Sequence, residues 1–213
     1  SRGLGDVYKR QITAERSVLL TGSNASGKST FIKTVALNAI LAQTLHTVLA
    51  ENYQASWFCI ASSMALRDDI LSQESYYIVE IRSLKRILDL TRSSELPVLC
   101  FIDEVLRGTN TVERIAASSR ILQAIAEQGG LCFAATHDIE LTYLLEKEYD
   151  NYHFEEQVED DKVTFDYCLR EGRACTRNAI RLLKMLGYDE KIVDDANERV
   201  ALFLKSGNWV SYH

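Results

Sequence analysis

The sequence has 213 residues, of which 46% are hydrophobic and 25% charged, with ten glycines and one proline. This composition is typical of a globular protein with one sizeable core, and it excludes disordered, collagen-like and mucin-like chains. The formal net charge of −6 argues against a protein that coats nucleic acid nonspecifically, because such binding depends on many phosphate contacts by Lys and Arg.

The sequence also argues against a membrane-spanning protein and against a disulfide-stabilised one. No apolar run approaches the roughly 20 residues that span a bilayer, and no signal peptide opens the sequence. We therefore expect no membrane contact and a cytoplasmic location. The five cysteines are odd in number and form no CxxC pair, which argues against a disulfide framework or a zinc site.

Residues 1–11 carry neither helical nor strand periodicity. Because the sequence begins with Ser1 rather than Met, we interpret this stretch as a truncation remnant or a scar of sequence assembly, and we assign it no function.

From Ile12 onward, short apolar runs alternate with longer amphipathic ones. This pattern predicts β–α–β units and a mainly parallel sheet covered by helices. The predicted strands are 17–21, 57–61, 98–103 and 131–135. The predicted helices between them are 28–45, 76–91 and 114–127, the last ended by two glycines.

The pattern changes after residue 151. Residues 151–158 and 162–169 flank an acidic turn, which predicts an antiparallel hairpin at the edge of the sheet. Two further helices are predicted at 177–186 and 190–204, separated by a turn at Gly187.

The sharpest motif is GSNASGKS at residues 22–29, a full GxxxxGK[ST] between a predicted strand and a predicted helix. Its glycines let backbone N–H groups and the helix N-terminus face the phosphates of ATP. Lys28 is expected to reach the β and γ phosphates, and the Ser29 hydroxyl to ligate Mg²⁺. The alternative, a chance glycine loop capping an ordinary helix, does not account for this context. The residues predicted to bind ATP here are Gly22, Ser23, Asn24, Ala25, Ser26, Gly27, Lys28, Ser29 and Thr30.

The second motif is VLCFIDE at residues 98–104, an apolar strand that ends in two carboxylates. A strand ending in Asp103 places that carboxylate at the carboxyl edge of the sheet, where ligands bind in open α/β folds. We expect Asp103 to hold the Mg²⁺ shell and Glu104 to orient or deprotonate the attacking water. Alone, the pair would fit the acidic first turn of a helix equally well.

The third motif is AATH at residues 134–137, which puts His137 at the tip of the next strand. An imidazole there is within reach of a γ-phosphate, although a lone His is more often structural. The predicted catalytic residues are thus Lys28, Glu104 and His137, and the predicted metal ligands are Ser29 and Asp103. The absence of an NKxD motif argues against a GTPase, and the order of the three motifs is that of ABC-type ATPases.

The strings TGSNASGKSTFIKT, FIDEVLRGTNT and AATHDIELT together resemble the ATPase domain of the MutS family of DNA mismatch repair proteins. The resemblance runs from about residue 12 to about residue 201. It implies a P-loop NTPase fold of ABC type at 12–170, with an edge hairpin, and a C-terminal helical dimerisation element at 171–213. Leu106 replaces a glycine of the family pattern.

The resemblance also implies residues that act across a homodimer with two composite ATP sites. Ser75 aligns with the signature serine that reaches the partner's γ-phosphate, although it fits a simple helix cap too. Asn110 would lie at the same interface, and Tyr167 falls where the family can place an aromatic ring near adenine.

The resulting expectation is a Mg²⁺-dependent ATPase domain of a MutS-like DNA mismatch repair protein. In the family, DNA is contacted through N-terminal domains absent from this sequence, and downstream repair proteins are possible partners. The alternative is a nucleotide-gated dimerisation or scaffold module with little hydrolysis, which the departures at Tyr76, Leu106 and Asn178 keep open. ABC-type DNA ATPases with a long coiled-coil insertion are disfavoured, because the interval between Ser29 and Asp103 is too short.

Overall fold

The computed structural model describes residues 14–23, 26–64, 76–106, 109–159, 162–174 and 179–207. The strands are β1 (Ser17–Thr21), β2 (Cys59–Ser63), β3 (Val98–Asp103), β4 (Leu131–Ala135), β5 (Tyr149–His153), β6 (Glu156–Glu159), β7 (Lys162–Phe165) and β8 (Arg170–Glu171). The helices are α1 (Lys28–Leu45), α2 (Tyr76–Ser93), α3 (Thr111–Glu127), α4 (Glu140–Leu144), α5 (Ala179–Met185) and α6 (Glu190–Ser206).

Six strands form one sheet in the order β2-β3-β4-β1-β5-β8. The first five of these run parallel, and β8 pairs antiparallel with β5. The predicted α/β class, a mostly parallel sheet with flanking helices in a P-loop fold, is confirmed. β4 lies between β1 and β3, and Ala135 is in register with both Leu20 and Asp103. The three strands that carry the motifs therefore end together at one edge of the sheet.

Both faces of the sheet are covered, because successive strand residues point to opposite sides. One face packs the side chains of Leu19, Cys100 and Ile102 together with Leu84, Leu122 and Ile125 of α2 and α3. The other face packs Val18, Leu20, Phe101 and Phe133 against Phe31 and Ile32 of α1. Burial on two faces explains why these strands read as nearly continuous apolar runs rather than alternating ones.

The second strand begins two residues later than predicted. Its pairing with β3 opens at Cys59 and Val98, and the backbone of Phe58 is held outside the sheet by the side chain of Gln43. The Phe58 N–H donates to Gln43 Oε1 at 2.7 Å, and Gln43 Nε2 donates to the Phe58 carbonyl at 3.1 Å. These two hydrogen bonds from the Gln43 side chain of α1 occupy the backbone of Phe58, and β2 starts at the next residue.

The predicted edge hairpin differs in detail. Residues 149–153 do not belong to the hairpin, because they pair with β1 over five residues as a strand of the main sheet. The hairpin is shorter, β6 with β7, and it forms a separate two-stranded sheet. The short strand β8 takes the edge position beside β5.

The chain divides into two compact units, Ser1–Glu155 with Asp166–Ala174, and Glu156–Phe165 with Cys175–His213. The described part of the second unit contains the hairpin and the packed pair α5 and α6. The Asp189 side chain accepts a hydrogen bond from Lys191 N–H and so caps α6. The helix predictions near 177–186 and 190–204 are confirmed to within a few residues. None of the described helices combines the length and apolarity needed to cross a membrane.

Candidate nucleotide-binding site

The loop after β1 has a backbone that only glycine fits at its first position. Gly22 has φ of +141°, and a Cβ there would lie 2.6 Å from the carbonyl oxygen of Phe154. Gly27, with φ of +108°, immediately precedes α1, and a Cβ on it would lie 3.3 Å from Cδ1 of Tyr167. The loop therefore turns tightly between a buried strand and the N-terminus of α1, as a phosphate-binding loop requires.

The Lys28 ammonium lies inside this loop. Nζ donates to the carbonyl oxygens of Gly22 at 2.7 Å and Ser23 at 2.8 Å, and the residue is only 5% exposed. The hydroxyl oxygens of Ser23 and Ser26 are buried and have no hydrogen-bond partner among the described residues. Two buried hydroxyls and a buried cation, all from this loop and the first residue of α1, fit a phosphate group, which would accept hydrogen bonds from all three. Asn24 and Ala25 lie outside the described residues.

The two predicted metal ligands are in direct contact. Ser29 Oγ, in the first turn of α1, donates to Asp103 Oδ1 at the end of β3 over 3.0 Å. A hydroxyl and a carboxylate beside a phosphate loop are the oxygen ligands that Mg²⁺ takes in P-loop proteins. The residues present therefore fit a magnesium ion bound with ATP. Thr30, the next residue of α1, is exposed.

Glu104, predicted to act on the attacking water, and His137, predicted to reach the γ-phosphate, are in contact. His137 Nε2 lies 2.8 Å from Glu104 Oε1, and the Glu104 side chain is 12% exposed. Glu104 adopts a left-handed backbone, with φ of +62°, and its N–H donates to the Ala135 carbonyl at 3.0 Å. The end of β3 is thereby tied to β4, and the carboxylate and the imidazole are close enough to share a proton.

Leu106 stands where the resemblance expects glycine, and its backbone explains that expectation. Its φ is +58°, a conformation that costs a non-glycine residue about 1 kcal/mol. The Leu106 side chain is 2% exposed in the core, and its N–H donates to Glu80 Oε1 of α2. Burial of the side chain and the buried hydrogen bond offset the backbone strain. Arg107 and Gly108 lie outside the described residues.

The resemblance implies two residues at a dimer interface, Ser75 and Asn110, and one aromatic residue near adenine, Tyr167. Ser75 lies outside the described residues. Asn110 caps α3, and its Oδ1 accepts a hydrogen bond from Val112 N–H at 2.9 Å. Tyr167 is 45% exposed, with φ of +53°, and its ring lies beside Gly27 of the phosphate loop. A partly exposed aromatic ring beside the phosphate loop is the type of side chain on which a nucleotide base stacks.

An ion pair that no sequence motif indicates lies next to His137. Arg114 of α3 donates from Nε to Asp138 Oδ2 at 2.8 Å and from a terminal nitrogen to Oδ1 at 2.6 Å. The hydrogen bonds to Asp138 raise the pKa of the Arg114 guanidinium above its ordinary value. The two residues are 24 positions apart, so the sequence offers only their opposite charges as a signal.

Comparison with known proteins identifies similar chains. A family model described as MutS domain V matches residues 18–203. A DNA mismatch repair protein MutS of Natronomonas pharaonis is 35% identical over 188 residues, 86% of this chain and 22% of that protein. A MutS protein of Thermus thermophilus is 30% identical over 184 residues, 86% of this chain and 22% of its own length. The MutS protein of Aquifex pyrophilus is 32% identical over 193 residues, which are 88% of this chain and 22% of that protein.

The chain thus spans about a fifth of the length of these curated relatives. The residues that the family model matches include the phosphate loop, Asp103, Glu104 and His137. Because the match covers most of the 213 residues, this chain belongs to the MutS domain V family.

Proposed function

We propose that this chain is the ATP-binding and ATP-hydrolysing domain of a MutS-like DNA mismatch repair protein. The observation that carries the proposal is the 3.0 Å contact of Ser29 with Asp103 beside the buried Lys28. It joins a phosphate loop to a carboxylate at the point where an Mg–ATP complex would sit.

Each residue of the site has a role in this proposal. Lys28 and the loop N–H groups bind the β and γ phosphates, and Tyr167 stacks on the adenine. Mg²⁺, held by Ser29 and Asp103, would neutralise charge on the phosphate oxygens. Glu104 orients the attacking water and accepts its proton as general base, while His137 donates to the γ-phosphate.

The wider function rests on the family. The relatives named as DNA mismatch repair proteins are about four times as long as this chain, and we propose that DNA binding involves the parts of such proteins that this chain does not match. We propose that two copies of the domain form composite ATP sites, with Ser75 and Asn110 of one copy facing the nucleotide of the other. Nucleotide state would then be coupled to binding of mismatched DNA by the full-length dimer.

The test is ATP hydrolysis by the purified chain across a protein dilution series, with Ser75→Ala measured in parallel. A shared site predicts that the rate per subunit rises with protein concentration and falls in the variant. The Ser93→Ala variant is the matched control, since Ser93 lies at the opposite end of α2 and is exposed. It should leave the concentration dependence unchanged.

Two other outcomes would redirect the proposal. If the chain binds ATP tightly but hydrolyses it only at the background rate at every concentration, the chain is a nucleotide-gated dimerisation module and not an ATPase. Hydrolysis that is independent of concentration and insensitive to Ser75→Ala would leave an ATPase without shared sites.

A further inference from the structure

The Arg114–Asp138 ion pair joins the first turns of α3 to the turn that carries His137. Both guanidinium contacts are within normal hydrogen-bond length, at 2.8 and 2.6 Å, and they engage both carboxylate oxygens. The side chains are 23% and 12% exposed. A bidentate contact fixes orientation as well as distance, and partial burial limits its screening by salt.

His137 is held from both sides by its neighbours. Before it, Thr136 N–H donates to the Leu20 carbonyl of β1 at 2.9 Å, which ties residue 136 to the sheet. After it, Asp138 N–H donates to Thr136 Oγ1 at 3.0 Å, and the Asp138 carboxylate is bound by Arg114. The backbone of His137 is therefore anchored to the sheet through Thr136 and to α3 through Asp138.

The position of His137 in turn affects Glu104, because the two side chains are 2.8 Å apart. A shift of the His137 turn would move or release the carboxylate proposed to orient water. The backbone of Arg114 belongs to the first turn of α3, where its N–H donates to the carbonyl of the capping residue Asn110 at 2.8 Å. The contacts thus run from the N-terminal end of α3 through Arg114 to the proposed catalytic pair.

We propose that Arg114 and Asp138 are positioning residues for hydrolysis: their ion pair holds His137, and through it Glu104, in the geometry that the reaction needs. This inference rests on the proposed ATPase function. Neither residue forms a hydrogen bond or ion pair with the described part of the phosphate loop, so the pair acts through His137 rather than by binding nucleotide.

The experiment compares Arg114→Ala with wild type in the full chain. We expect kcat for ATP hydrolysis to fall about tenfold or more, since a small displacement of a catalytic group is sufficient for such a loss. The Kd for ATP, measured by competition with a fluorescent ATP analogue, should change less than about twofold, because no nucleotide contact is removed. Arg120→Ala is the matched control, since Arg120 lies on the exposed side of the same helix. It should change neither quantity.

A His137→Ala background separates positioning from general stability. If Arg114 acts through His137, adding Arg114→Ala to His137→Ala should lower kcat no further than about twofold, because the two effects are not additive. Equal losses of kcat in both backgrounds would overturn the inference. So would a loss of ATP affinity with no loss of kcat.

Two further results keep the test decisive. If Arg114→Ala does not fold, Arg114→Lys decides, since lysine retains the charge and loses the bidentate fork. A lower kcat at unchanged Kd supports the positioning role, and an unchanged kcat overturns it. A wild-type chain without any hydrolysis would instead refute the proposed ATPase function and this role with it, whereas active wild type with unaffected variants refutes the inference alone.

Discussion

Ser29 and Asp103 are 74 positions apart in the sequence, yet the Ser29 hydroxyl donates to Asp103 Oδ1 over 3.0 Å. This contact is possible because β4 lies between β1 and β3 and all three parallel strands end at the same edge. The first turn of α1 and the last residue of β3 thereby face one another across the site.

The first prediction concerns metal binding at this contact. Asp103→Asn removes a negative charge from the proposed metal site while keeping the shape of the side chain. We expect the Mg²⁺ concentration for half-maximal hydrolysis to rise about tenfold or more, because the lost attraction to a divalent cation is large at short range. A Mg²⁺ titration of the ATPase rate measures it.

Asp89→Asn is the control for this titration, since Asp89 pairs with Lys85 on the exposed surface of α2. Its Mg²⁺ dependence should match wild type. An unshifted midpoint in Asp103→Asn would remove Asp103 from the metal site.

The second prediction concerns Glu104. Replacing it with Gln keeps an oxygen that can accept a hydrogen bond from His137 but removes the base. Turnover should fall about 100-fold or more, the usual range for loss of a general base, while ATP binding persists. Steady-state hydrolysis and equilibrium ATP binding, measured on the same preparation, check this.

Glu127→Gln, at the far end of α3 and exposed, is the matched substitution for Glu104→Gln. It should leave both measurements unchanged. If Glu104→Gln hydrolysed ATP at the wild-type rate, another group would have to activate the water.

Much of the central fold could be predicted from the sequence, because each central strand is defined by its own run of apolar residues. The strands at 17–21, 98–103 and 131–135 are buried on both faces, so their apolar runs mark their own limits. The start of β2 could not be found in this way, because a side chain of α1, Gln43, holds Phe58 out of the sheet. Likewise, nothing in the composition of residues 149–153 distinguishes a strand of the main sheet from one arm of a hairpin.

In the candidate site, too, the residues that lie in sequence motifs could be predicted, whereas the contacts that depend on helix packing could not. Motif spacing predicted Ser29, Asp103, Glu104 and His137, which the fold brings together in two contacting pairs. The Arg114–Asp138 pair depends on how α3 crosses the end of β4, and no motif encodes that distance. The hydrogen bond from Leu106 N–H to Glu80 is of the same kind, because it depends on how α2 packs beside the loop after β3.

The third prediction concerns Gly22. Alanine there places a methyl group 2.6 Å from the Phe154 carbonyl oxygen, in a backbone conformation with φ of +141°. The overlap and the strain together should lower the free energy of unfolding by about 2 kcal/mol or more, and ATP affinity should fall as the loop shifts. Denaturant unfolding and nucleotide binding report the two effects.

Gly129→Ala separates strain from overlap in this comparison. Gly129 also has a positive φ, +78°, but nothing lies within 4 Å of a Cβ at that position. We expect a cost near 1 kcal/mol and no change in ATP affinity. Equal costs at the two glycines would show that the contact with Phe154 is relieved by a small backbone movement.

The fourth prediction concerns pH and Tyr149, a 1% exposed residue of β5 whose hydroxyl donates to the Leu122 carbonyl at 3.0 Å. Burial raises the pKa of Tyr149 well above its ordinary value of 10.0. The folded state therefore keeps the phenol neutral while the unfolded chain ionises near pH 10, so this stabilisation is complete below pH 10 and is lost as pH rises further.

Tyr149→Phe cannot ionise, and near pH 8 it should be less stable than wild type by about 1 kcal/mol, the usual value of one hydrogen bond. The difference should shrink between pH 10 and pH 11, because only wild type loses stability through this group. Urea unfolding of both proteins at pH 8, 10 and 11 measures the difference, and a constant gap across that range would mean that Tyr149 ionises alike in the folded and unfolded states.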